Sequence, residues 1–141
     1  MVTLRRVRDA DAFMLYRWWR HVETTRFNPV PHPALTWDEH VEWFISNYGN
    51  PFWFVGESDG EAVGVVRLDD ASDGRWISIA VAPEHRGRGH GRDLIRLATN
   101  RMAGVLAKIH ELNVASRKAF EAAGYRQIRA ERPWLVYESP S

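Results

Sequence analysis

The chain has 141 residues, of which 45% are hydrophobic and 26% are charged, a composition typical of a single globular domain. It contains no cysteine, which excludes disulfides, thiolate metal sites and a cysteine nucleophile, and favours a reducing cytoplasm. Nineteen basic and 18 acidic residues give a net charge of +1, which is too balanced to indicate extended nucleic-acid binding. No run of about 18 apolar residues predicts a membrane-spanning helix, and the N-terminal segment has no apolar run typical of a signal sequence.

The N-terminal third predicts one strand followed by two helices. The strand covers Thr3–Arg8, and an aspartate caps the following helix, which runs to Arg20. Thr36 and Glu39 have the spacing of a capping box and begin the second helix, which ends near Gly49.

The middle of the chain predicts three strands joined by tight turns. These strands are Phe52–Glu57, Ala62–Leu68 and Arg75–Val81. The pairs Asp59-Gly60 and Asp73-Gly74 are strong signals for hairpin turns. A meander of neighbouring antiparallel strands is the expected result.

The C-terminal part predicts a helix, a strand and a second helix, followed by a closing hairpin of two strands. The complete order is βααβββαβαββ, which predicts one domain over residues 1–141 with a mixed, mostly antiparallel sheet and helices on both faces. The C-terminal elements are a helix from Gly89 to Met102, a strand Val105–His110, a helix Ser116–Ala123, and strands Tyr125–Arg129 and Trp134–Glu138.

The segment Ile77–Leu97 carries the clearest indication of chemistry. A strand leads into a turn with glycines at positions 87, 89 and 91, and this turn opens a helix. The first turn of a helix offers unpaired amides and the positive end of the helix dipole, and glycines let a ligand approach the backbone. Such a turn predicts a pyrophosphate site. Its positive charges are Arg86, Arg88 and Arg92.

Two common phosphate-binding motifs fit this turn poorly. A P-loop ends in Gly-Lys-Ser or Gly-Lys-Thr, and the sequence has no such ending. The dinucleotide fingerprint is G-x-G-x-x-G, whereas the glycines here run G-x-G-x-G and no acidic residue ends a second parallel strand about 20 residues later. Nucleoside triphosphate and dinucleotide ligands are therefore both disfavoured.

The turn and its downstream segment resemble a known family. Arg86, Gly89 and Gly91 match the R/Q-x-x-G-x-G/A signature of the GNAT family of N-acetyltransferases. The resemblance extends over Arg75–Tyr125 in the same order, and the predicted order of strands and helices agrees with the family fold. The downstream matches are Asn113, Ser116, Phe120 and Gly124-Tyr125.

The resemblance implies an acetyl-CoA-dependent transferase that moves the acetyl group directly to a primary amine. It implies a β-bulge that separates the strand of Ile79 and Val81 from its neighbour, so that their backbone groups bind the pantetheine arm. The turn amides bind the pyrophosphate, and Asn113 contacts the coenzyme near its reactive end. The coenzyme-binding residues so predicted are Ile79, Ala80, Val81, Arg86, Gly87, Arg88, Gly89, His90, Gly91, Arg92, Asn113 and Phe120.

Phe120 departs from the family pattern in a way that affects catalysis. Many members have a tyrosine there that protonates the departing thiolate, and phenylalanine has no proton to donate. The proton could come from Ser116, a water or the substrate ammonium, and a thiol with a pKa of about 8.5 leaves with little help. The central strand offers only Ser78 as an inward candidate base. The predicted catalytic residues are Asn113, Ser116, His110 and Glu111.

A metal site is not expected. His85 and His90 flank the glycine turn, but a spacing of five residues places them on no shared helical face, and no further ligand accompanies them. We therefore expect acetyl-CoA as co-substrate and no metal.

The acceptor is read from residues 1–48, where the family varies. The aromatic pattern that begins with Trp18-Trp19 resembles the branch that acetylates nucleotide-linked amino sugars and borders the ribosomal-protein N-terminal acetyltransferases. Aromatic rings suit stacking on a sugar or uracil, and arginines suit a diphosphate; most of these aromatics also fit a helix–sheet core. The predicted substrate-binding residues are Arg20, Arg26, Phe27 and His40.

The pKa of the acceptor amine narrows the choice of acceptor further. A lysine side chain with a pKa of about 10.4 is about 0.04% neutral at pH 7, whereas an amine with a pKa of about 8 is about 10% neutral. Without a strong base in the site, an amino sugar or an α-amine is favoured. The alternatives are a protein N-terminal acetyltransferase and a CoA-binding module with little turnover. We expect a monomer or homodimer without nucleic-acid or membrane partners.

Overall fold

The computed structural model describes residues 1–21 and 36–140. Within these ranges the chain forms four α-helices and one sheet of seven strands. When the strands are numbered along the chain, their order across the sheet is β1-β2-β3-β4-β5-β7-β6. The helices are α1 (Ala12–Arg20), α2 (Trp37–Asn47), α3 (His90–Ala98) and α4 (Val114–Ala122). The strands are β1 (Thr3–Arg6), β2 (Trp53–Ser58), β3 (Glu61–Ala71), β4 (Gly74–Val81), β5 (Val105–His110), β6 (Arg126–Glu131) and β7 (Trp134–Glu138).

The sheet is antiparallel except where β4 pairs with β5 in parallel. On one face, α1 and α2 pack Trp18 and Phe44 against Val55 of β2. On the other face, α3 and α4 pack Ile95 and Phe120 into a second core. The predicted mixed α/β fold, with a mostly antiparallel sheet between helices, is confirmed.

Local signals placed the element ends well where a cap or turn defines them. Thr36 caps α2, because its hydroxyl accepts a hydrogen bond from the amide of Glu39 at 3.2 Å. The Glu39 carboxylate accepts from the Thr36 hydroxyl at 3.0 Å, instead of closing the capping box on the backbone. Asp59 and Gly60 both have positive φ, 53° and 79°, as a two-residue hairpin turn requires.

Two elements end a few residues before their predicted ends. The first strand ends at Arg6, because Arg8 already precedes a short 3-10 turn. α3 ends at Ala98, four residues before the predicted end. The hydroxyl of Thr99 binds the carbonyl of Ile95 at 2.8 Å, and Arg101 adopts a left-handed φ of 63°, which no α-helix accommodates.

The described ranges lack two features, a membrane-spanning helix and a metal-binding group. No helix in them has the length and apolarity needed to cross a membrane. Nor do they bring together three or more histidine or carboxylate side chains in a group suited to hold a metal ion.

Candidate coenzyme and acceptor site

β4 and β5 diverge and leave a cleft in the middle of the sheet. They pair only at Arg75 with Val105 and at Trp76 with Leu106. Beyond Trp76, β4 continues to pair with β3 as far as Val81, while β5 continues to pair with β7 as far as His110. In the described part of the chain no strand fills the gap, so the facing backbone edges are positioned to pair with an extended ligand.

The expected β-bulge does not cause this divergence. The register between β3 and β4 is continuous from Gly64–Val81 to Ala71–Gly74. The register shifts of the sheet lie elsewhere, at Gly56/Glu57 and at Gln127/Arg129. The β-bulge prediction is therefore wrong. The cleft forms because β4 continues along β3 and β5 continues along β7, so the two strands separate.

The glycine turn lies at the end of β4, where the cleft opens onto α3. Gly87 and Gly89 have φ of 77° and 81°, a region that residues with a Cβ adopt only with strain. No atom lies within 4 Å of a Cβ built on Gly87, and at Gly89 only a nitrogen of Arg92 comes as near as 3.8 Å. This space in front of the first turn of α3 has the form of an anion cradle.

Gly91 has a different role from the other two glycines. It is buried in α3, and a Cβ there would lie 3.4 Å from Ala119 and 3.6 Å from Val81. Its small size lets α3 approach both α4 and β4 closely. Gly87 and Gly89 therefore leave open space in front of α3, whereas Gly91 allows close packing of the helix.

The basic side chains around the turn are partly engaged with protein groups. Nε of Arg86 donates to the carbonyl of Val81 at 3.4 Å, and an Arg92 nitrogen contacts the Asp93 carboxylate at 3.2 Å. Arg88 and Arg92 are exposed. These charges surround the cradle without filling it.

The turn between β5 and α4 lies at the far side of the cleft. Asn113 caps α4, because its side-chain oxygen accepts from the amide of Ser116 at 3.2 Å. His110 is half-buried, its Nδ1 accepts from the amide of Leu112 at 3.1 Å, and its ring meets Trp134 edge-on at 5.0 Å. The predicted catalytic residues follow one another from the end of β5 into the first turn of α4. His110 ends β5, Glu111 and Asn113 lie in the connection, and Ser116 lies in α4.

Comparison with known proteins decides the family. The sequence model of the acetyltransferase (GNAT) domain matches residues 1–126. This chain belongs to the GNAT acetyltransferase family. Its coenzyme-binding predictions can therefore be judged against the geometry of an acetyltransferase domain.

Solved structures similar to this acetyltransferase domain share its fold. The spermidine N-acetyltransferase of Vibrio cholerae, solved with CoA and spermine, is 18% identical, with 97% of this chain and 92% of that chain covered and a TM-score of 0.77. The aminoglycoside acetyltransferase AAC(6')-Ib, solved with coenzyme A, is 19% identical over 98% of this chain and 93% of that chain, with a TM-score of 0.76.

A curated relative is longer than this acetyltransferase domain. It is an uncharacterized protein of Methanocaldococcus jannaschii, 24% identical over 97% of this chain. This chain spans 31% of the length of that relative.

Two residues predicted to contact ligands are buried in the acetyltransferase domain. Phe120 is 3% exposed and packs edge-on against Tyr125 at 5.0 Å within the core under α3 and α4. Its ring has little surface to offer the coenzyme, and the contact stays a prediction. His40 is fully buried, and its Nε2 donates to the carbonyl of Ala12 at 2.7 Å. We therefore assign His40 to the packing of α2 against α1 instead of to substrate binding.

The other predicted substrate residues lie at or beyond the end of α1. Arg20 is exposed, donates to the Tyr16 hydroxyl at 2.6 Å and stacks over the Tyr16 ring at 5.3 Å. Arg26 and Phe27 fall outside the described residues. Their predicted roles stay predictions.

Glu111 has a charged partner in the acetyltransferase domain. Its carboxylate lies 3.4 Å from a guanidinium nitrogen of Arg132. Arg117 donates to the Glu111 carbonyl at 3.2 Å and to the Tyr137 hydroxyl at 3.3 Å. Arg117 therefore holds the β5–α4 turn against β7, a role that its position in the sequence did not indicate.

Proposed function

We propose that this chain transfers the acetyl group of acetyl-CoA directly to a primary amine of a small molecule. The observation that carries the proposal is the cleft between β4 and β5, which opens at its wide end onto the turn Gly87–Gly89 and the first turn of α3. An extended arm and a pyrophosphate are the two features of coenzyme A that this combination suits. The family membership of residues 1–126 supports the same reaction.

The proposed coenzyme contacts follow the two parts of the cleft. The backbone of Ile79, Ala80 and Val81 would pair with the pantetheine arm along the free edge of β4. The amides from Gly87 to Arg92 would bind the pyrophosphate, aided by the guanidinium groups at positions 86, 88 and 92. This division predicts that changes in the turn affect binding of any CoA ester and leave acceptor selectivity intact.

The proposed chemistry needs a neutral amine and a departing thiolate. The amine nitrogen attacks the thioester carbonyl carbon, a C–N bond forms, the C–S bond breaks, and the amine loses one proton. His110 and Glu111 are our candidates for receiving that proton, and Asn113 and Ser116 for contacting the reacting groups. All four lie between the end of β5 and the first turn of α4.

The proposed reaction defines the acceptor only as a primary amine. The similar structures named above contain spermine and concern aminoglycosides, both of which are amines with several positive charges. The nucleotide-linked amino sugar, which the N-terminal pattern predicts, and a protein α-amine stay as finer proposals. An amine with a pKa near 8 suits a site whose candidate bases are a histidine and an ion-paired carboxylate.

The experiment combines coenzyme binding with turnover. Thermal unfolding is measured with and without acetyl-CoA, NAD and ATP, and thiol release is followed with a UDP-linked amino sugar, a dipeptide and a polyamine. Acetyl-CoA at 100 times its Kd stabilises the fold by about 2.7 kcal/mol. A shift with NAD or ATP and none with acetyl-CoA would refute the proposal.

A second candidate is a CoA-binding module with little turnover. The buried Phe120, which carries no hydroxyl at the family's tyrosine position, favours it. In that case acetyl-CoA would raise the Tm, yet no amine of the panel would accelerate thiol release. Measuring both quantities on the same protein separates the two candidates.

A further inference from the structure

The face of the sheet opposite α3 and α4 is only partly covered by described helices. α1 and α2 pack over β2, β3 and the end of β4 through Trp53, Val65 and Ala80. Beyond that core, Ser78 of β4 and Lys108 of β5 are both exposed. These two residues lie on the strands that border the cleft, so an acceptor that enters from this face meets them first.

The register of β5 identifies the residues that share this face. Val105, Ala107 and Ile109 point into the core under α3 and α4, so Lys108 and His110 point to the opposite face. Antiparallel pairing sets His110 against Trp134 of β7. Lys108, His110 and Trp134 therefore form one patch, the β5–β7 patch, on the acceptor side of the cleft.

Lys108 lies on the open part of the cleft. The last pair between β4 and β5 joins Trp76 to Leu106, and Lys108 is the next residue of β5 on the same face. Two acidic residues lie farther back on this face, and a third, Glu131 of β6, pairs directly with Trp134. Asp73 precedes β4 and accepts from the Trp76 indole at 2.8 Å, and Glu138 pairs with Leu106 where the strands are still joined.

Other charges of this face are already compensated within the protein. Arg67 contacts Asp69 at 2.8 Å and stacks over Trp43 and Trp53 at 5.5 and 5.9 Å. On β6, Arg129 contacts Glu131 at 2.6 Å. That bond is the main reason why the pKa of Glu131 is low, and Lys108 contributes less.

Among the described residues, no carboxylate lies within ion-pair distance of Lys108. Lys108 is exposed, so its ammonium can reach an acceptor on this face. It disfavours an acceptor with several positive charges, such as a polyamine, and favours one with an oxyanion.

We propose that the acceptor carries an oxyanion, a carboxylate or a phosphate, near its amine and that Lys108 binds this group. Trp134, half-buried beside His110, offers an apolar wall to the atoms between the amine and the oxyanion. The inference rests on the proposed transferase function and adds its substrate class. It makes Lys108 a specificity-determining residue with no part in proton transfer.

The test compares matched acceptors that differ only in the oxyanion. The pairs are 2-aminoethyl phosphate with ethanolamine, and C-terminally amidated glycyl-aspartate with C-terminally amidated glycyl-asparagine; spermidine represents the polycations. kcat/KM is measured for the wild type, Lys108→Gln and Lys108→Glu. Lys118→Glu is the matched control, because Lys118 is an exposed lysine on α4, across the sheet. The ratio within each pair cancels differences in coenzyme binding.

The wild type should prefer the anionic member of at least one pair. That preference should fall at least tenfold in Lys108→Gln and further in Lys108→Glu, while the KM for acetyl-CoA changes less than twofold. The charge reversal in Lys108→Glu should also raise kcat/KM for spermidine. Lys118→Glu should keep the preference. Equal effects on both members of each pair, or wild-type preference for spermidine, would overturn the inference while leaving the transferase function intact.

A binding measurement covers the case in which no amine of the panel turns over. 2-Aminoethyl phosphate and ethanolamine are titrated into the CoA-loaded protein. Tighter binding of the phosphate, lost in Lys108→Gln and kept in Lys118→Glu, supports the inference. The same affinity in wild type and Lys108→Gln contradicts it. Failure of CoA itself to bind would instead reject the proposed function.

Discussion

Leu94 of α3 occupies the space that a Cβ on Gly64 of β3 would need. A Cβ built on Gly64 lies 2.7 Å from Cδ1 of Leu94 and 2.7 Å from the backbone carbonyl of Ala80. Gly56 of β2 forms the other side of the same notch, where a Cβ would overlap Cδ2 of Leu94. Two glycines in neighbouring strands thus let α3 seat a fully buried leucine, which fixes the helix that carries the proposed pyrophosphate cradle.

Gly64→Ala should therefore destabilise the fold by about 1–3 kcal/mol, because a backbone carbonyl cannot move away from the added methyl group without shifting β4. We also expect weaker acetyl-CoA binding, since α3 must tilt to relieve Leu94. Urea unfolding and a coenzyme titration measure the two effects. Gly49→Ala is the control, because no atom lies within 4 Å of its Cβ position, and it should change stability by less than about 0.5 kcal/mol. If Gly64→Ala is as stable as the wild type, the claim that Leu94 and the Ala80 carbonyl leave no space for a Cβ at position 64 is wrong.

Gly89→Glu should abolish the thermal shift with acetyl-CoA. The change adds a side chain and a negative charge in front of the first turn of α3. Gly104→Glu is a control for backbone strain, because Gly104 has a similar φ of 75° with no atom within 4 Å of its Cβ position. It should lose comparable stability and keep the shift. If Gly89→Glu retains wild-type affinity, the pyrophosphate site lies elsewhere.

Phe120→Tyr should change turnover by less than about tenfold, which is about 1.4 kcal/mol of barrier. The ring lies in the core, and a thiol with a pKa of about 8.5 needs little protonation to leave. The rate should rise with pH until the acceptor amine is neutral, without a fall near pH 10. Turnover is measured from pH 6 to 10.5 for both forms.

The same variant should lose stability, because a hydroxyl buried without a partner costs about 1–3 kcal/mol. Phe13→Tyr is the matched control, since Phe13 is 61% exposed and tolerates a hydroxyl. A hundredfold gain in turnover for Phe120→Tyr would instead show that the natural chain lacks a needed acid, and the CoA-binding module would become the better proposal.

His40 should make the fold sensitive to mild acid. Burial lowers the pKa of His40 from its usual 6.5, although the hydrogen bond to the Ala12 carbonyl opposes this shift. The unfolded chain therefore binds a proton more readily than the folded one. The contribution of His40 to stability is complete above pH 6.5 and is lost progressively below it, towards the lowered pKa.

His40→Gln isolates this effect, because glutamine can still donate to Ala12 but does not titrate. The free energy of unfolding is measured from pH 5 to 8 for both proteins. The free energy of unfolding of the wild type, relative to that of His40→Gln, should fall as the pH drops below 6.5. Parallel curves for the two proteins would show that the buried imidazole does not control the acid response.

The order of the strands and helices and the position of the glycine turn follow from local sequence patterns. Caps, Asp-Gly pairs and alternation act within a few residues, so Thr36, Asp59-Gly60 and the strand Val105–His110 could be located from local pattern alone. The family signature added the prediction that this turn binds the coenzyme, because Arg86, Gly89 and Gly91 lie within six residues.

The burial and the facing of individual side chains, in contrast, depend on contacts between distant parts of the chain. His40 and Phe120 have the residue types of a binding site but are enclosed by packing between elements distant in the chain. Lys108 and Trp134 share one face because β5 pairs with β7, a contact that no local pattern encodes. Burial and register depend on long-range contacts, whereas caps and turns depend on a few adjacent dihedral angles.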